Sequence, residues 1–136
     1  MDMLRFEITD DDVGVMEVRH PGSGVVLKDA AGNPVTVSMV SLDSPRYKAA
    51  QRMTIDKRLK DQGRSVAVSA ESMEADNIET VALAVTGWSG IGIDSDETPC
   101  SFNSVCDAFR RLPWLFEQCS RYLGNRANFL PASAKD

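Results

Sequence analysis

The sequence predicts an α+β fold: a small N-terminal antiparallel β meander or hairpin, followed by a C-terminal bundle of about four helices. Three observations predict it. Short runs of alternating apolar and polar residues, separated by turn clusters, fill residues 1–43. A serine–proline pair, Ser44-Pro45, then has the form of a helix start. Beyond it, apolar residues recur at three- and four-residue spacing instead of two. The expected layout is one domain over 1–136, β-rich over 1–43 and helical over 44–130, with a flexible tail over 131–136.

Leu4, Phe6 and Ile8 alternate with polar residues, which predicts a half-buried strand. Val13 and Val15 continue in mixed fashion towards His20-Pro21, and Gly22-Ser23-Gly24 predicts a turn. Val25-Val26-Leu27 is a short apolar run, and Asp29 to Pro34 a second turn cluster. Val35, Val37 and Met39 give the clearest strand signal in the chain.

The first helix opens at Ser44-Pro45, pairs Ala49 with Met53 and Ile55 with Leu59 at four-residue spacing, and stops near Gly63. Residues 63–70 read as a linker. Residues 71–88 show the best helical period, with Ile78, Val81, Val85 and Trp88 on one face and Glu71 and Glu74 near the favourable N-terminal end. Gly87, Gly90 and Gly92 break that helix into the loop GWSGIGIDSDETPCS. Ser101 caps a third helix with Val105, Ala108, Phe109 and Leu112. Pro113 ends it and begins a fourth, with Phe116, Cys119 and Leu123 on one side.

Composition narrows the class. Hydrophobic residues make up 43% and charged residues 26%, the balance of a folded globular chain. No apolar run is long enough to span a bilayer, and the acidic opening MDMLRFEITDDD is unlike a secretory signal. Cys100, Cys106 and Cys119 have no CxxC spacing and suit a reducing compartment as free thiols. The net charge of −5 disfavours general nucleic-acid binding. The charge is segregated: residues 44–64 carry seven basic side chains, Arg46, Lys48, Arg52, Lys57, Arg58, Lys60 and Arg64, against Asp56 and Asp61. Residues 71–97 carry seven acidic side chains and no base. Two solvated faces account for this pattern; so does a bipolar surface that aligns copies head to tail.

Residues with catalytic chemistry are sparse. His20, the one histidine, precedes a proline in a predicted turn. Asp10-Asp11-Asp12 and Asp94-Ser95-Asp96-Glu97 lack the ligand spacing of a calcium loop. Gly90-Ile91-Gly92 follows a predicted helix, without the strand–turn–helix context of a dinucleotide site. The expectation is no catalytic residue, no metal, no cofactor and a binding function. Aromatic residues on helical faces are core by default, and Trp114, after Pro113 at a helix start, is the one expected to project as an interface anchor.

The order of features in the C-terminal half carries a resemblance. Val85-Thr86-Gly87-Trp88-Ser89-Gly90-Ile91 is followed by an acidic, proline-bearing loop. Ser101-Phe102-Asn103-Ser104-Val105 then opens a helix, followed by Leu112-Pro113-Trp114-Leu115 and a closing Ala127-Asn128-Phe129-Leu130. Upstream, Arg19-His20-Pro21 with Gly24, and Ser41-Leu42-Asp43-Ser44 before a basic helix, fit the same order. This resembles the tail assembly chaperones of long-tailed bacteriophages, the tape-measure-associated minor tail proteins of the lambda G type. One departure is Asp94-Ser95-Asp96-Glu97, where the resemblance leads one to expect a glycine-containing turn.

The resemblance implies a non-enzymatic protein of the host cytoplasm, absent from the mature virion. It would bind the tape measure protein, keep it soluble, recruit major tail tube protein subunits, associate with itself and coexist with a frameshifted longer form. Neither nucleic acid nor membrane is an expected partner. The candidate interaction residues are Arg52, Lys57, Arg58, Lys60, Trp88, Trp114 and Phe129. Two alternatives stand beside it: a structural neck or tail connector subunit of the virion, and a small enzyme or toxin.

Overall fold

The computed structural model describes residues 1–61 and 70–131. The expected helix stop at Gly63, the linker short of Ala70 and the tail beyond Pro131 lie outside the described residues. Among the described residues the architecture is α+β: a three-stranded antiparallel sheet in the order β1-β2-β3, with four α-helices. The elements are β1 (Gly14–Glu17), β2 (Thr36–Met39), α1 (Pro45–Asp61), α2 (Ala70–Ala84), β3 (Val85–Ser89), α3 (Phe102–Arg111) and α4 (Pro113–Leu123).

The alternation read from the sequence sets the inward face of the sheet. Met16 and Val18 point inward from the first strand and its extension, and Val37 and Met39 from the second, while Val15 and Glu17 face solvent. The chain turns back between β1 and β2 through isolated bridges Arg19↔Val26 and Lys28↔Pro34. Asp29 makes the turn: its Oδ1 accepts from the N–H groups of Ala31 and Asn33, both at 2.9 Å.

Two expectations at the strand level are corrected. Leu4, Phe6 and Ile8 do not lie on a strand; Met3–Phe6 is a 3-10 helix whose first turn is capped by the Asp2 carboxylate, and Leu4 is 70% exposed. Three alternating residues are too few to specify a strand once a local cap competes. The helix predicted over 71–88 stops at Ala84, and Val85 and Trp88 belong to β3, paired antiparallel with β2. β3 therefore lies inside the half expected to be purely helical. Val85-Thr86 is β-branched and Gly87 is a poor helix former, so pairing with β2 overrides the continuing helical period. The Val40 N–H donates to the Ala84 carbonyl at 2.9 Å and fixes the helix-to-strand junction.

The predicted caps are present. Ser44, fully buried, accepts from the Tyr47 N–H at 3.2 Å and donates to the Ser41 carbonyl at 2.7 Å. Asp10, one of the three consecutive acids, reaches the same helix end and accepts from the Arg46 N–H at 2.8 Å. Ser101 and Ser104 form a reciprocal capping box on α3.

The core lies between the sheet and α2, α3 and α4. Phe109 meets Phe116 edge to face with ring centroids 5.6 Å apart, and Tyr122 meets Phe129 in the same way at 5.6 Å. The second pair packs against Gly14: a Cβ there would stand 2.8 Å from Tyr122 Oη and 2.9 Å from Phe129 Cε1. A long-range ion pair also ties the entry of α1 to the segment after α4, with Arg126 Nε 2.6 Å from Asp43 Oδ2.

Gly14→Ala is therefore expected to destabilise the fold by about 1–3 kcal/mol, because both aromatic rings would have to shift. Thermal melting checks this; an unchanged midpoint would show that the rings move freely. The Arg126 hydrogen bond, assisted by its charge and that of Lys48, holds the Asp43 carboxyl below the ordinary carboxylate range despite partial burial. That depression adds stability at neutral pH, which is lost as pH falls through the folded-state value. In Asp43→Asn the acid limb of the melting temperature against pH should be shallower; parallel limbs would remove the pair from the account.

Candidate functional site

Two surfaces qualify as candidates: the outward side of α1, and a groove between the β1 edge and α4. The groove has a volume of about 590 Å³ and is lined by residues from Met16 to Gly24 on one wall and from Trp114 to Asn128 on the other. Two of its lining residues, Arg19 and Gln118, pair across distant segments. The Arg19 N–H donates to Gln118 Oε1 at 2.9 Å, and Gln118 Nε2 donates to the Arg19 carbonyl at 2.8 Å. One side-chain amide thus satisfies both backbone groups of Arg19, as a neighbouring strand would, and closes the sheet edge at that point.

His20 lies on the groove rim. Its Nδ1 accepts from the N–H groups of Gly22 and Ser23, both at 3.0 Å, so the ring organises the Gly22-Ser23-Gly24 turn. Arg19 reinforces the turn from outside, with its guanidinium donating to the Gly24 carbonyl at 3.1 Å. Trp114 is half-buried in the opposite wall, not the freely projecting aromatic that its position after Pro113 predicts. Leu115 beside it takes the inward direction.

Trp88 and Phe129, also candidate contact residues, hold the fold together. The Trp88 indole N–H donates to the Thr98 carbonyl at 2.7 Å and fastens the loop that follows β3. Thr98 also ties back to Ile91 and Ile93. Asp94, where a glycine-containing turn was expected, adopts φ 59°, a left-handed conformation that aspartate tolerates better than most residues. Arg111 holds it there with two contacts, at 2.6 and 3.2 Å. The Arg111 hydrogen bond and charge keep the Asp94 carboxyl below its ordinary range. Phe129 is 1% exposed, so it belongs to the core and offers no contact surface.

The cationic candidates lie on α1. Arg52, Lys57 and Lys60 are exposed and make no ion pair among the described residues; the Arg58 side chain lies outside the described ones. The apolar side expected for this helix, Ala49 with Met53 and Ile55 with Leu59, faces solvent instead. Tyr47 is buried, and Ala50 and Thr54 are half-buried, so the inward face follows those three. The principal helical neighbour of α1 is α2, which carries Glu74, Asp76 and Glu79 of the acidic segment. Asp76 and Glu79 on α2 already have interactions within the chain.

Among the described residues, no group of three or more His, Cys, Asp or Glu side chains is placed to hold a metal ion. Burial raises the pKa of all three thiols, and pushes Cys119 up to about 12, which suppresses the reactive thiolate. A thiol-specific disulfide reagent at about pH 8 should modify half-buried Cys100 first and reach Cys119 only through unfolding. Equal rates at the three cysteines in the folded protein would contradict this packing.

Compared with protein-family models, with curated proteins and with solved structures, the chain gives no match in any of the three.

Proposed function

We propose that this chain is a non-enzymatic tail assembly chaperone of a long-tailed bacteriophage. It binds the tape measure protein, keeps it soluble and recruits major tail tube subunits while the tail is built. The observation that carries a binding function is α1, a helix on which Met53, Ile55 and Leu59 are exposed among the exposed cations Arg52, Lys57 and Lys60. Exposed apolar groups beside charges that make no ion pair among the described residues are features of a contact surface. The resemblance of the C-terminal motifs supplies the identity of the client.

A tape measure protein is long and helical, and its apolar stripes would aggregate if left uncovered. A chaperone for it needs apolar contact area, charge to steer encounter, and weak contacts repeated over several copies. It needs no reactive group. Self-association, a frameshifted longer form, action in the host cytoplasm and absence from the mature particle belong to the same proposal.

Co-expression with the tape measure protein is expected to raise the soluble fraction of that protein several-fold. An unchanged fraction would count against the chaperone role. Mass spectrometry of purified particles should lack this chain; finding it at structural stoichiometry would instead assign it to the neck or tail connector.

A further inference from the structure

The geometry points to the outer edge of β1 (Gly14–Glu17), where it faces α4, as a seat for an extended segment of a partner protein that joins the sheet as a further strand. This goes beyond the chaperone reading and does not depend on what α1 binds. β1 comes first in the order β1-β2-β3, so one side of it has no strand beside it. Along a strand the hydrogen-bonding direction alternates from residue to residue. The Val18 N–H turns towards β2 and donates to the Val35 carbonyl at 2.8 Å, while the Arg19 N–H turns away and donates to Gln118 Oε1 at 2.9 Å. Val15 and Glu17 share the direction of Arg19, and their backbone N–H and C=O groups have no partner among the described residues. Both residues are exposed, Val15 by 56%.

The edge itself chooses the occupant. The Gln118 amide already stands where the peptide group of a next strand would stand, and it satisfies both the donor and the acceptor of Arg19. The same pairing is open from Glu17 back to Gly14. A helix or a membrane surface presents no row of free main-chain donors and acceptors, whereas an extended segment does. The wall facing the edge is α4, whose half-buried Trp114 and Tyr122 line the groove together with Met16. Side chains of an added strand point alternately to the two faces of the sheet, so the residue opposite Met16 enters the groove and meets those rings. A second copy joined symmetrically edge to edge does not fit. It would continue the sheet with both α4 helices on one face, and both would need the space beneath the paired β1 strands. On the outward face Glu17 makes no ion pair among the described residues, so a basic residue suits the position opposite it and a β-branched one the position opposite Val15. Paired antiparallel, as the rest of the sheet is, the segment reads lysine, a large apolar residue, then valine, and it stops where Gln118 closes the edge.

The probe is a capped peptide of about six residues, with lysine, leucine and valine at its centre and serine or threonine on either side. Two N-methylated forms accompany it, one methylated at the valine, whose N–H would bond to β1, the other at the leucine, whose N–H would point away. Binding to the full chain is followed by amide chemical shifts and hydrogen exchange with the peptide in millimolar excess. In the free chain the Val15 and Glu17 amides should exchange at least about tenfold faster than those of Met16 and Val18, and the peptide should slow them at least about tenfold. The valine-methylated form should bind at least about tenfold more weakly than the leucine-methylated form. Glu17→Lys should reverse the preference for lysine over glutamate in the peptide. Val15→Pro removes an edge N–H but no ladder bond, and should abolish binding with circular dichroism unchanged.

Equal weakening by the two methylations, or no protection of Val15 and Glu17 by the peptide, overturns the inference. Protection already present in the free chain that rises with its concentration assigns the edge to a second copy, and overturns it as well. If the peptide protects Val15 and Glu17 while the tape measure protein stays insoluble on co-expression, the edge stands and the chaperone reading falls. The opposite pair of results keeps the chaperone reading and removes the edge.

Discussion

The pairing of β2 with β3 is the constraint on which the rest of the molecule depends. β2 has a strand on each side, and β3 reaches it from the distant helical half. Because α2 runs into β3 without a loop, the register of the sheet also fixes where α2 ends. α3 and α4 pack on α2, so their placement inherits that register. A one-residue slip would turn Val37 and Met39 out of the core and Thr36 and Ser38 into it. The hydrogen bond from Val40 to Ala84 and the burial of both inward side chains on β2 oppose that slip.

What the sequence revealed and what it concealed divide along a physical line. Ser44-Pro45, Ser101 and Pro113 were legible as helix starts because capping is a bargain between a side chain and its own backbone. β2 was legible because its alternation stands between turns. β3 was not, because Val85 and Trp88 also fit a helical period, and only a strand elsewhere in the chain decides between the two. The inward face of α1 was misread for a related reason. Spacing marks Met53, Ile55 and Leu59 as apolar, but the helix touches the body through Tyr47, Ala50 and Thr54. The pairing of Gln118 with Arg19 left no local trace at all, since 99 residues separate the two.

The positions that carry the resemblance are largely structural. Trp88 fastens a loop, and Phe129 fills the core beside Gly14. A motif of this kind reports the scaffold more directly than the contact made by it. Two chains with the same scaffold motifs could then differ freely at the exposed positions of α1, Arg52, Met53, Ile55 and Leu59. Specificity for a client would reside in residues that the motif leaves out.

The energetics of α1 bear on how such a contact could work. Burying an aliphatic side chain is worth about 1.5–3 kcal/mol, so three of them left in water represent a substantial but bounded driving force. Bringing two molecules together costs roughly 4–15 kcal/mol in lost freedom and ordering, of the same order as that gain. Under the proposed role, one α1 helix on one client helix would therefore make a weak, quickly reversible contact, with the cations contributing more to encounter than to hold. Durable coverage of a long client requires several such contacts at once, and their strength then comes from number and spacing. Under the proposed chaperone role, weakness of the single contact would be an asset, because losing a few neighbours would be enough to free the rest of a client.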